Sequence, residues 1–256
     1  MNVLIIPDAH SCPEHNNDRF TLAGKYILDT KPDTIICLGD FADMGSLSSY
    51  DRGKKCFEGR RVINDIQAAN DANTKLWAPV NEYNAMRKRN RDKQYKPKQV
   101  MLLGNHEDRI SRAVEQDAEL DGLISVDSLG YADHGWEVIP YGVPYIYEDI
   151  AFCHSFPTGV SGQPISGSNV AASLLTKNFM SSIVGHNHIK DYDEKVRADG
   201  RRICALSAGW YGDFVPAFAT SSSRFWWSGL TMLHDVREGS FETEFKSIRM
   251  LQEKYG

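Results

Sequence analysis

The chain lacks several features that would assign it quickly. No run approaches the roughly 20 apolar residues that a membrane helix needs, so no membrane-spanning helix is expected. There is no excess of positive charge: the formal net charge is -5, which gives no overall basic field to draw in nucleic acid. The five cysteines (Cys12, Cys37, Cys56, Cys153 and Cys204) are odd in number, and no pair stands at a zinc-ligand spacing. Cys37, Cys153 and Cys204 lie in apolar runs and read as small buried hydrophobes, a usage that fits a reducing, cytoplasmic setting. The opening MNVLIIPDAH is too short and too uncharged at its start for a secretory signal. Internal repeats and low-complexity segments are missing.

What is present suffices for one substantial core. Apolar residues make up 41% of 256, and the expectation is a single domain over 1–256. Val3 to Ile6 reads as a buried strand, Asp18 to Thr30 as a helix, and Thr34 to Leu38 as a second strand. That order implies a parallel pair with a right-handed crossover. Residues 44–98 break the rhythm and read as a helical insertion. A polar loop to Gly59 is followed by a helix from Val62 to about Arg91, which Pro79 should kink or divide. Gln99 to Leu103 is the next strand, and His106 to Leu120 reads as a helix. Trp136 to Pro140, Tyr145 to Tyr147 and Ile150 to Cys153 read as short strands of a second, more antiparallel region. Ser168 to Lys177 is a helix and Ser182 to Val184 a strand. The tail reads as a meander in which Ile203 to Ser207 and Leu230 to Val236 pair with Phe241 to Phe245.

The chemistry gathers at strand ends. Five polar clusters follow five strands: Asp8-Ala9-His10, Gly39-Asp40-Phe41-Ala42-Asp43, Gly104-Asn105-His106-Glu107, His154-Ser155 and Gly185-His186-Asn187-His188. In α/β sheets, sites form outside the carboxyl ends of the strands, so these clusters should converge on one crevice. Asp and His suit manganese, iron, zinc or nickel. Two ligands separated by one residue in extended backbone point the same way, as in Asp8-x-His10 and His186-x-His188. Five of the eight histidines fall in these blocks. His15, in the loop after His10, reads as surface with the cleft in reach, and His134 and His234 read as structural.

This ordered set resembles the calcineurin-like metallophosphoesterase superfamily, whose pattern is D-x-H, G-D-x-x-D, G-N-H-[DE], a lone His and G-H-x-H. The resemblance spans residues 8–188 and implies a four-layer α/β/β/α sandwich of two mixed sheets flanked by helices. It also implies two divalent metal ions, manganese first and iron, zinc, nickel or magnesium as alternatives. By resemblance, Asp8, His10 and His188 hold one metal, Asn105, His154 and His186 the other, and Asp40 bridges them. His106 gives a proton to the leaving oxygen, and Asp43 orients His106. The reaction implied is hydrolysis of a phosphate ester by metal-activated hydroxide.

The ester class is less directly written. Phosphoprotein phosphatases of the superfamily carry Arg after the second Asp of the G-D block, whereas Met44 stands here. Arg109 and Arg52 are the candidate replacements. The basic stretch Arg87 to Lys98 offers phosphate-directed charge that would suit nucleic acid. These features lean toward a phosphodiesterase or nuclease. Glu107, the form common in the phosphatases, points toward a phosphomonoesterase. A non-catalytic binding module on the same fold is the third expectation, and loss of ligands would mark it. Trp210, Tyr211, Trp226 and Trp227 read as core or cleft wall. Oligomeric state is not legible.

Overall fold

The computed structural model describes residues 1–216, 219 and 221–256. Alternation along the first strand sets the layers. In β1 (Val3–Ile6), Val3 and Ile5 face one apolar cluster and Leu4 and Ile6 face another, as a strand buried on both sides requires. Helix α1 (Asp18–Thr30) returns the chain to β2 (Thr34–Cys37), which pairs parallel with β1. Helix α2 (Val62–Arg89) is the crossover to β3 (Lys98–Leu102), again parallel, and the expected insertion over 44–98 is this connection.

Of the two outcomes expected at Pro79, division does not occur: α2 is continuous through it. A proline inside a helix costs about 3 kcal/mol, and burial of Leu76, Trp77 and Val80 in the core offsets it. The two helices meet closely at Gly24 of α1. A Cβ there would stand 2.2 Å from the Leu76 carbonyl oxygen and 3.0 Å from Cδ of Pro79.

Helix α3 (Asp108–Gln116) follows β3 and is shorter than expected, a separate single turn covering Ala118–Leu120. β4 (Glu137–Ile139) then pairs parallel with β3. It therefore belongs to the first sheet, which corrects its expected place in a second region. The second sheet begins with the antiparallel pair β5 (Tyr145–Tyr147) and β6 (Ile150–Cys153). Helix α4 (Val170–Asn178) leads to β7 (Ser181–Val184), parallel to β6. β8 (Lys190–Val196) and β9 (Arg202–Ala208) form a hairpin whose β9 lies parallel to β7.

The tail meander is thus corrected in part: residues 203–207 pair within the second sheet and not with 241–245. β10 (Gly229–Arg237) and β11 (Ser240–Ser247) are the antiparallel hairpin expected, and they close the first sheet against β1. Helix α5 (Ile248–Tyr255) ends the chain.

The first sheet runs β11-β10-β1-β2-β3-β4 and the second β5-β6-β7-β9-β8. Val3, Ile5, Ile36 and Val100 of the first pack against Phe152, Ile183 and Leu206 of the second. The outer face of the first sheet packs on α1 and α2, and that of the second on α4. These are the four layers α/β/β/α. The carboxyl ends of β1, β2, β3, β6 and β7 all open toward one edge of this sandwich.

Candidate metal centre

The strand ends are brought together by backbone that only small residues permit. A Cβ on Gly104 would lie 2.1 Å from Oδ1 of Asp40, and one on Gly185 would lie 2.1 Å from Oδ1 of Asp8. The turns are stitched as well: Asp40's carbonyl accepts the N–H groups of Ala9 and His10 at 3.0 and 2.8 Å. His10, Asp40, His186 and His188 all adopt positive φ, between 46° and 63°. Each such residue costs on the order of 1–3 kcal/mol and persists where the surroundings over-determine it, a pattern that clusters at functional sites. Here the left-handed turn swings each side chain back over the strand end.

Two groups of ligand-type atoms result. In the first, Nε2 of His10 and Nε2 of His188 are 3.1 Å apart, and His188 Nε2 is 3.1 Å from Oδ2 of Asp8. In the second, Oδ1 of Asn105 lies 2.9 Å from both Nε2 of His154 and Nδ1 of His186, and those nitrogens are 3.2 Å apart. Asp40 stands between them, with Oδ2 3.4 Å from Nε2 of His154 and 3.9 Å from Nε2 of His10. All seven residues that the sequence nominated as ligands meet at this edge.

The remote ring nitrogens fix the orientation of two of these histidines. Nδ1 of His154 donates to the Leu38 carbonyl at 2.9 Å, and Nδ1 of His10 donates to Oδ1 of Asp43 at 2.9 Å. Each Nε2 is then left with its lone pair toward the cluster. Charge follows the same geometry. Burial and the neighbouring His154 push His186 down to about 4. Burial acts to lower His154, but the carboxylates of Asp40 and Asp8 overcome it and raise the group. Burial would raise Asp8, and His154 and His188 hold it below the usual carboxylate range instead.

His106 sits beside this cluster under different constraints. Its Nδ1 is 2.7 Å from the Asp43 carbonyl and 3.2 Å from Oδ1 of Asp43. Its Nε2 is 3.7 Å from Oδ2 of Asp40, close enough to group with the ligand atoms, and 3.1 Å from Nη2 of Arg109. A guanidinium directed at that nitrogen disfavours a metal cation there, and Nε2 can carry a proton only once Arg109 turns to another acceptor. Burial would lower His106, and the charges of Asp40 and Asp43 raise it to about 9. Arg109 also donates to the Asp43 carbonyl at 2.8 Å. Arg52 is exposed on the loop before α2 and does not line the cleft; Lys54 and Arg60 from that loop do.

Sequence reasoning gave Glu107 only as a clue to ester class. In the structure it is fully buried and ties the site's turns together. Oε2 accepts from the N–H groups of Asp40 and Gly104, and Oε1 from the N–H of Ala42 and the hydroxyl of Tyr131, all at 2.9–3.0 Å. His15 is exposed, as expected of a surface loop, and it also lines the cleft. Trp210 and Trp226 form a wall against His188, their rings 5.9 and 4.3 Å from its centroid.

The residues fit a pair of divalent cations. Among the described residues, neither buried carboxylate oxygen of Asp8 has a hydrogen-bond donor in acceptable geometry, a state a bound cation would relieve. Two imidazoles bonded to one cation at about 2.0–2.1 Å would hold their nitrogens about 3.0–3.4 Å apart. The His10–His188 and His154–His186 separations fall in that interval.

Comparison with known proteins agrees with this geometry. Residues 1–190 match the family described as calcineurin-like phosphoesterase. No curated protein matches the chain. One solved crystal structure aligns over 96% of this chain and 99% of its own at 14% identity, with a TM-score of 0.35, a likeness too slight to carry any argument.

Proposed function

The chain belongs to the calcineurin-like phosphoesterase family, and on that premise we propose that it hydrolyses phosphate diesters at a two-cation centre held by Asp8, His10, Asp40, Asn105, His154, His186 and His188. Two divalent cations, manganese first, would neutralise charge on the phosphate oxygens and acidify water near neutral pH. The chain's own residues do the rest. Arg109 is placed to shift a donor from Nε2 of His106 to a phosphate oxygen. That exchange lets Nε2 of His106 take up a proton from solvent and pass it to the departing oxygen, while Asp43 keeps the ring in position.

The observation that supports a diester is the shape of the cleft. A cavity of about 620 Å³ and another of about 580 Å³ share Tyr50, Asn105, Arg109 and His186. The candidate centre therefore lies between two arms, and a diester has a substituent for each. Arg109 at the centre also suits the second reading, a phosphomonoesterase, because it supplies the clamp that Met44 cannot. Comparing bis-(p-nitrophenyl) phosphate with p-nitrophenyl phosphate in the presence of manganese separates the two. Diester turnover at least equal to monoester turnover is expected; a large monoester preference would overturn the diester reading.

The basic stretch Arg87 to Lys98 precedes β3, whose carboxyl end carries the cleft. At about 3.3 Å per residue, β3 alone sets the two some 13 Å apart or more. A nucleic-acid partner contacting that stretch would need to reach past the cleft.

A further inference from the structure

One arm of the cleft carries aromatic surface that neither the candidate cation ligands nor the proton donor uses. His15 is exposed, and its ring lies flat on Phe214, with centroids 3.9 Å apart and planes at 17°. Phe214 is half-buried and braced from behind. The ring of Trp210 meets it nearly at right angles with centroids 5.5 Å apart, and the guanidinium of Arg19 lies 5.1 Å from its centroid. Arg19 is itself fixed, being almost wholly buried. It donates Nε to the Tyr211 carbonyl at 3.1 Å, Nη1 to Asn16 at 2.9 Å and Nη2 to Ala9 at 2.7 Å. Because Ala9 separates Asp8 from His10, the shelf is keyed to the centre itself.

The same arm contains the exposed ring of Tyr50 and the cleft face of Arg60. Among the described residues, Nε of Arg60 is buried without a hydrogen-bond acceptor, with Glu14 standing off at 3.6 Å. A flat face beside such a donor suits a planar group with polar edges. His106 lines this arm and not the other. The group that departs with the proton of His106 is therefore the one that lies here.

The geometry points to a subsite for the base of a leaving nucleoside, stacked on His15, so that the substrate is a nucleoside phosphodiester. This rests on the diesterase reading above. In the reaction, water oxygen bonds to phosphorus and gives up a proton to solvent, the bond from phosphorus to the nucleoside oxygen breaks, and that oxygen takes the proton from His106, which solvent then restores. Stacking of one base on an aromatic side chain is worth about 1–3 kcal/mol.

The test is steady-state hydrolysis of a thymidine dinucleotide by the manganese-loaded protein. Two analogues, each with one base replaced by hydrogen, are measured beside it, and product analysis identifies the leaving nucleoside. Loss of the base on the leaving side should lower kcat/KM on the order of tenfold, mainly through KM. Loss of the other base should matter less. The ratio between the full and base-less substrates should collapse toward one in His15→Ala and persist in His15→Tyr, which keeps a stacking ring. A ratio near one in the wild type, or a ratio unchanged in His15→Ala, would overturn the subsite. Hydrolysis of bis-(p-nitrophenyl) phosphate without hydrolysis of any dinucleotide would overturn it while leaving the diesterase reading intact. Hydrolysis of monoesters alone would overturn both.

Discussion

Oδ1 of Asp43 stands 2.9 Å from Nδ1 of His10, and the same atom lies 3.2 Å from Nδ1 of His106. One carboxylate thus orients a candidate cation ligand and the candidate proton donor together. Asp43→Asn should lower both cation affinity and turnover by roughly 10–100-fold, since it weakens both rings' anchors. His106→Asn should cut turnover by roughly 10²–10⁴-fold while cation content is retained. Turnover and bound manganese measured on both variants check this. Full cation affinity in Asp43→Asn would show that the His10 contact is idle.

Glu107 collects four donors from three turns in an apolar setting, and an amide cannot accept all four. Glu107→Gln should destabilise the protein by about 2–4 kcal/mol, because a buried donor would face backbone N–H groups. Denaturant unfolding with excess manganese reads this. A change below about 0.5 kcal/mol, the range of ordinary surface substitutions, would contradict the role.

The five blocks of the site were legible because Asp, His and Asn followed by sharp turns leave a plain pattern. What holds them was not. Positive φ at His10, Asp40, His186 and His188 leaves only a weak trace in residue type, since Asp and His tolerate it but adopt negative φ far more often. Glu107 looked like an alternative spelling of a motif, and only the fold shows what it accepts. β8 was missed because Lys-Asp-Tyr-Asp-Glu-Lys-Val is polar at nearly every position; it is an edge strand, largely exposed, that needs no apolar face. β4 was sent to the wrong sheet because three half-exposed residues carry too little pattern to specify a partner. Pro79 does not end α2 because packing against α1 outweighs the local helix preference.

The buried histidines give the cation-free protein a distinctive pH response. His106, raised to about 9, contributes stability that is full below its unfolded value of about 6.5 and is lost as pH rises through 9. His154, also raised, acts in the same direction. His186, lowered to about 4, contributes stability that is full above about 6.5 and is lost as pH falls through 4. With chelator, the thermal midpoint should therefore peak near pH 6–7 and decline on both sides. Manganese should flatten the alkaline decline, because cations then replace protons as the counter-charge to Asp8 and Asp40. An alkaline decline identical with and without manganese would contradict this.

If a polynucleotide is bound through the exposed stretch before β3, its charges set the salt dependence of affinity. Reversing Lys88, Arg89 and Lys93 to Glu should weaken binding to single-stranded DNA and flatten the slope of log K against log salt by about 0.7 for each phosphate no longer neutralised. Binding isotherms at several salt concentrations provide the slope. An unchanged slope would remove that stretch from any role in holding nucleic acid.

Cations bound where Asp8, Asp40 and the four imidazoles meet are the premise of all the chemistry above. Elemental analysis of the purified protein after manganese loading and gel filtration tests it most directly. About two equivalents per chain are expected in the wild type, with clear loss in Asp40→Asn, whose carboxylate stands between the two groups. Less than half an equivalent in the folded wild type, or full occupancy in Asp40→Asn, would contradict it.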